Sequence, residues 1–193
     1  MTSGGSLILS FIVNLPAFLG ALVVHEYAHG YVANKLGDTT AKSLGRLTFN
    51  PLAHIDLFGT ILLPLFLIIS RSPIVIGWAK PVPVNFYNLN NPKKDMIWVG
   101  LAGPVANFIA ATITYIILRL GIVGNVILFD FLTNLLIINI VLGVFNLIPI
   151  PPLDGSRVLM GLLPPKMAIA YSRLEPYGMI ILIVLLMLLR NSF

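Results

Sequence analysis

Apolar runs long enough to cross a lipid bilayer recur along this chain, and nothing else constrains its fold as strongly. Residues 96–118 and 126–148 each exceed the roughly 20 residues that a helix needs to span a hydrocarbon core of about 30 Å. A stretch from 6 to 36 is also long enough, interrupted by Asn14, by Pro16 with its expected kink, and by His-Glu-Tyr-Ala-His near its end. Residues 55–70 carry Gly59 and Pro64 and make a marginal span, while 177–189 would cover only about 20 Å as a helix and must borrow flanking residues. With 58% hydrophobic and 10% charged residues, the composition excludes an ordinary soluble domain. The expected fold is an all-α polytopic membrane protein, a single domain over 1–193 with about four to five transmembrane helices and a re-entrant or strand-like insertion around 55–85.

Proline and glycine punctuate these runs. Pro81 and Pro83 exclude a regular helix in that region, and a short turn around Gly121 and Gly124 makes 96–118 and 126–148 a transmembrane hairpin. Pro149, Pro151 and Pro152 end the second helix of the hairpin just before Leu153-Asp154-Gly155. The net charge of +5 comes from basic residues scattered between apolar runs, which speaks against nucleic acid as a partner and for topology signals. Cysteine is absent, so any metal ligands must be His, Asp or Glu. No Lys or Arg precedes Lys35, so the first apolar segment lacks the basic start of a cleavable signal and is expected to persist in the mature protein.

His25 and His29 lie four residues apart on a predicted helix, which places both imidazoles on one face, able to share one ion. Glu26 stands beside them. In a His-Glu-x-x-His arrangement the glutamate is not a ligand but takes a proton from the attacking water and returns it to the leaving amine. Two imidazoles are an incomplete site, because catalytic zinc usually takes three protein ligands and keeps a fourth position open. Asp154, directly after a proline-broken helix end and before Gly155, is the best candidate for the third. An uncompensated charge near mid-bilayer costs about 3 kcal/mol or more, so a span carrying His, Glu and His needs a partner, and a metal ion supplies one. A helix cap is the competing role for Asp154.

HEYAH at 25–29 joined to FNLIPIPPLDG at 145–155 resembles the site-2 protease family of intramembrane metalloproteases, whose second signature is matched by Asn146, Pro149, Leu153, Asp154 and Gly155. LAGPVAN at 101–107, GRLTFNPLAHID at 45–56 and GWAKPVPVN at 77–85 resemble compact prokaryotic members, without room for PDZ or CBS domains. The resemblance implies one Zn2+ ion, cleavage of a transmembrane-helix substrate within the bilayer of a prokaryotic cell membrane, and Asn146 as a contact to substrate or tetrahedral intermediate.

If His29 and Asp154 bind one ion, the helices that carry them must end at similar depth on one side of the membrane, so the chain between must cross an even number of times. Residues 55–79 are therefore expected to enter and return. That count places Lys35, Lys42, Arg46, Lys80, Lys93, Lys94, Arg157, Lys166 and Arg173 on one face, with Arg119 and Arg190 opposite and Arg71 unassigned. By the positive-inside rule the N-terminus is then outside and the catalytic end of the first helix faces the cytoplasm. The extended 77–85 segment could present an unpaired edge to a substrate.

His54 is read as an interfacial histidine with a local partner, with second-shell and regulatory-ligand roles also open. Asn107 is explained by packing or interhelical hydrogen bonding, a substrate role remaining open, and Asn14 could bond across helices in the same way. Trp78, Tyr87 and Trp98 flank apolar runs as interface anchors. Competing functional classes are a metal-binding transporter or sensor and a non-catalytic binder of transmembrane helices. Homo-oligomerisation stays open.

Overall fold

The first apolar stretch forms one continuous helix, α1 (Gly4–Lys35), which runs through Pro16 and at 1.5 Å per residue is about 48 Å long. This is seen in a computed structural model that describes residues 4–70, 72 and 77–190, with the side chains of 4–12, 189 and 190 left aside. Arg71 lies outside the described residues. After α1 the chain reverses at Gly37, whose φ of 111° suits only glycine and whose missing side chain leaves room for the Asn90 amide. Asp38 follows, fully buried, and gathers the backbone N–H and hydroxyl of Thr40, the N–H of Asn85 at 2.7 Å and the Asn88 amide at 3.1 Å. These bonds staple the end of α1 to a segment almost fifty residues further on.

Between those points the chain makes an excursion. A four-residue helix, α2 (Thr40–Ser43), leads to a 3-10 turn at Pro51–His54. A π-helical turn at Leu57–Leu62 then continues into α3 (Leu63–Ile69). The two together span about 20 Å, well short of the hydrocarbon thickness. Residues 77–85 return extended, and no β-strand occurs among the described residues. Trp78 N–H donates to Gly59 O at 3.1 Å and Lys80 N–H to His54 O at 2.9 Å. Asn90 N–H donates to Leu36 O at 2.8 Å, so the excursion leaves and rejoins the bundle at the same end of α1.

The transmembrane hairpin follows as α4 (Pro92–Arg119) and α5 (Val126–Asn146), turned at Gly121 and opened at α5 by the Asn125 side chain, which accepts the N–H of Leu128 at 3.0 Å. α4 is the central helix, packed against α1, α5 and the short α6 (Asp154–Leu162). Its glycines make those approaches possible, as does Gly143 of α5, where an added Cβ would lie 2.8 Å from the Phe108 ring. The chain ends in α7 (Pro165–Ser172), a 3-10 turn at Glu175–Tyr177, and α8 (Gly178–Arg190). α8 alone is too short to cross, but the stretch Pro165–Leu188 is long and apolar enough, like α4 and α5. With α1 and the half-span at 57–69, this is the expected all-α membrane bundle with a re-entrant insertion.

Candidate metal centre

Three side chains from distant parts of the sequence converge where α1, α4 and α6 meet. Nε2 of His25 and Nε2 of His29 are 3.0 Å apart, and Asp154 Oδ2 lies 3.0 Å from the first and 3.2 Å from the second. Helical spacing aligns the two imidazoles on one face of α1, with ring centroids 4.6 Å apart. Asp154 is the first residue of α6, and its carboxylate faces the histidines. Gly155 matters here for space: a Cβ on it would fall 2.2 Å from Leu147 O, in the turn that brings α6 back under α5. Its φ is not positive, so the conformational freedom expected from sequence is not what the turn uses.

The outer nitrogens of both imidazoles are already committed. His29 Nδ1 donates to Val99 O at 2.7 Å, and His25 Nδ1 lies 2.6 Å from Asn107 Oδ1. Each imidazole, when neutral, therefore turns an unprotonated Nε2 inward, and the third member is a carboxylate. Three electron-pair donors turned toward one another in this way are the arrangement that a shared cation stabilises. Donors bound tetrahedrally at about 2.0–2.1 Å to zinc stand about 3.3 Å apart, close to the separations here. Gly103 of α4 completes the fit, since a Cβ there would lie 2.4 Å from His29 Nε2 and 2.6 Å from His25 Nε2. The donor set of two nitrogens and one oxygen suits one zinc ion.

Glu26 is half-buried beside the cluster and outside it, its Oε2 accepting the backbone N–H of Val82 at 2.7 Å. Gly30 lets the extended segment come this close to α1, because a Cβ there would lie 2.7 Å from the Val82 side chain. Of the 77–85 backbone, the Trp78, Lys80 and Val82 N–H groups point inward and are used, Pro81 and Pro83 have none, and Arg46 takes the Lys80 and Pro81 carbonyls.

The other expected residues are placed as follows. Asn107 is fully buried and belongs to the surroundings of His25, also donating from Nδ2 to Ala21 O at 3.0 Å and Asn139 Oδ1 at 2.8 Å. Asn146 sits in the last turn of α5, its Nδ2 donating to Leu142 O at 3.1 Å. His54 is fully buried, donates from Nε2 to Thr48 O at 2.9 Å, and stands apart from the cluster. Asn139, Gly103 and the Val82 N–H were not singled out from sequence. A lone asparagine in the apolar run 135–145 was the available signal for the first.

Comparison with known proteins identifies the family. The model of peptidase family M50 matches residues 13–126 and 121–189, nearly the whole chain. The chain belongs to peptidase family M50. "Putative zinc metalloprotease YwhC" of Bacillus subtilis (strain 168) is 42% identical over 173 residues, covering 86% of this chain and 75% of that protein. "Zinc metalloprotease MJ0392" of Methanocaldococcus jannaschii is 29% identical over 146 residues, covering 76% of this chain but 33% of that longer protein. No solved structure matches. Membership of M50 makes this chain an integral membrane zinc metalloprotease of the site-2 protease type, as the sequence resemblance implied.

Proposed function

We propose that His25, His29 and Asp154 hold the zinc ion and that Glu26 is the general base of an endopeptidase acting on a transmembrane helix. The convergence of three inward-facing donors beside a half-buried carboxylate carries this reading. When bound, zinc polarises the scissile carbonyl and lowers the pKa of water toward neutrality. Glu26 takes the proton of the attacking water at one carboxylate oxygen while Val82 N–H keeps the other in place, and then returns the proton to the departing amine. The reading keeps Asn146, one short loop before Asp154, as a contact to the substrate chain, which must be locally unwound for its backbone to reach the site.

The same reading takes 1–193 as one domain, with the N-terminus outside and the ligand-bearing end of α1 toward the cytoplasm. Lys35 at the end of α1 and Lys93 and Lys94 at the start of α4 support that orientation. The test is purified Glu26→Gln beside His25→Ala and Asp154→Ala, assayed for zinc content and for cleavage of a model transmembrane substrate. Glu26→Gln should keep zinc and lose cleavage, whereas the ligand variants should lose both. Cleavage by Glu26→Gln at the wild-type rate, or full zinc occupancy in His25→Ala, would overturn the assignment.

A further inference from the structure

Behind the metal-binding face, a line of buried amides crosses from α5 through α4 to α1. Asn139 of α5 is 1% exposed and Asn107 of α4 is fully buried. The direction of every bond in this line is settled by its far end. Leu135 O can only accept, so the Asn139 group facing it at 2.8 Å is the Nδ2 amide. Its Oδ1 therefore faces Asn107. Asn107 meets two acceptors, Asn139 Oδ1 at 2.8 Å and Ala21 O at 3.0 Å, so it turns Nδ2 toward both. Oδ1 of Asn107 is left to face His25 Nδ1 at 2.6 Å, and that nitrogen must carry the hydrogen. Only then does Nε2 of His25 present a lone pair to the space it shares with His29 and Asp154.

We infer that Asn139 is a positioning residue for His25, setting through Asn107 which imidazole nitrogen is free to bind metal. Asn107 stands between Asn139 and His25, and the acceptor oxygen of Asn139 keeps the Asn107 amide from turning over. Reversed, Asn107 would direct an oxygen at Ala21 O and a donor at His25, which would then carry its hydrogen on Nε2, where an ion must bind. Ala21 O opposes this reversal as well, so loss of Asn139 weakens the relay without erasing it. The metal-affinity part of the inference rests on His25 being a zinc ligand, and the tautomer part does not.

The test uses metal-free, 15N-histidine-labelled protein in detergent at alkaline pH, where the imidazoles are neutral, read by NMR, followed by zinc titration against a competing chelator. Wild-type His25 should be the Nδ1–H tautomer. Asn139→Leu removes the acceptor at similar volume and should give a mixture of tautomers and about a tenfold weaker zinc affinity. Asn139→Asp keeps an acceptor toward Asn107 in either charge state and should hold the wild-type tautomer and affinity within about twofold. A wild-type His25 found with hydrogen on Nε2 would overturn the inference whatever the variants do. So would an Asn139→Leu protein that keeps the tautomer and affinity, even if its melting temperature falls. A tautomer change without any change in zinc affinity would leave the relay standing and count against His25 as a ligand.

Discussion

The backbone N–H of Val82 donates to Oε2 of Glu26 at 2.7 Å, joining the extended return of the re-entrant segment to the carboxylate assigned as general base. A hydrogen bond to a charged group contributes about 1.5–3 kcal/mol. Val82→Pro removes the donor while keeping an apolar side chain, and it should lower kcat at least tenfold with zinc content unchanged. Val82→Ala retains the N–H and should stay within about threefold of wild type. Equal losses in the two variants would show that the side chain, and not the N–H, is what matters.

Gly103 provides a steric test of the metal centre. With a Cβ 2.4 Å from His29 Nε2, Gly103→Ala should push α4 away from the imidazoles or turn one of them out of line. Zinc content should fall to near zero while the helical circular dichroism stays close to wild type. Full metal loading in this variant would mean that the imidazoles are held differently.

Removal of zinc should lower thermal stability, because a ligand that binds only the folded state stabilises it by mass action. At a free concentration of about a hundred times Kd the gain is about 2.7 kcal/mol, or roughly 5–10 °C in Tm for a chain of this size. A chelator should shift wild type and Glu26→Gln by similar amounts and His25→Ala or Asp154→Ala hardly at all. Thermal melts in detergent, with and without chelator, check this.

Asp38 predicts an acid limb of stability that is separate from catalysis. Burial pushes its carboxyl up, but the Thr40 hydroxyl, the Asn85 and Thr40 N–H groups and the Asn88 amide together hold it below the usual carboxylate range. A group whose folded pKa is depressed contributes stability above its unfolded pKa, near 4, and that contribution is lost as pH falls through the folded value. Asp38→Asn should flatten the decline in Tm below about pH 4. Asp38→Ala, which strands several donors at once, should lower Tm at neutral pH by roughly 5–10 °C. Melting curves across pH 3–7 would decide, and an unchanged acid limb in Asp38→Asn would rule this carboxylate out as its source.

The bundle and the ligand set were legible in the sequence because their signals are local. HEYAH fixes two imidazoles on one helical face, and the prolines after Asn146 fix where α5 stops. The surroundings of the ligands were not legible, for a physical reason. α4 and α5 are apolar on every side, so their sequences do not reveal how each is rotated about its axis. That rotation decides that Asn107 meets His25 and Asn139 while the Asn146 amide turns back on Leu142 O. Gly103 and Gly155 were visible as glycines, but the demand for space at each comes from a neighbour far away in sequence. The N–H of Val82 leaves no trace at all, since every residue other than proline has one.

α4 supplies none of the three ligand atoms, yet its Val99 carbonyl orients one imidazole, its Asn107 orients the other, and its Gly103 makes room for both. A chain in which α4 was replaced by an equally greasy but unrelated helix would still insert into lipid and still carry HEYAH and Leu-Asp-Gly. It would be a membrane protein with a protease's signature and nowhere to keep the ion.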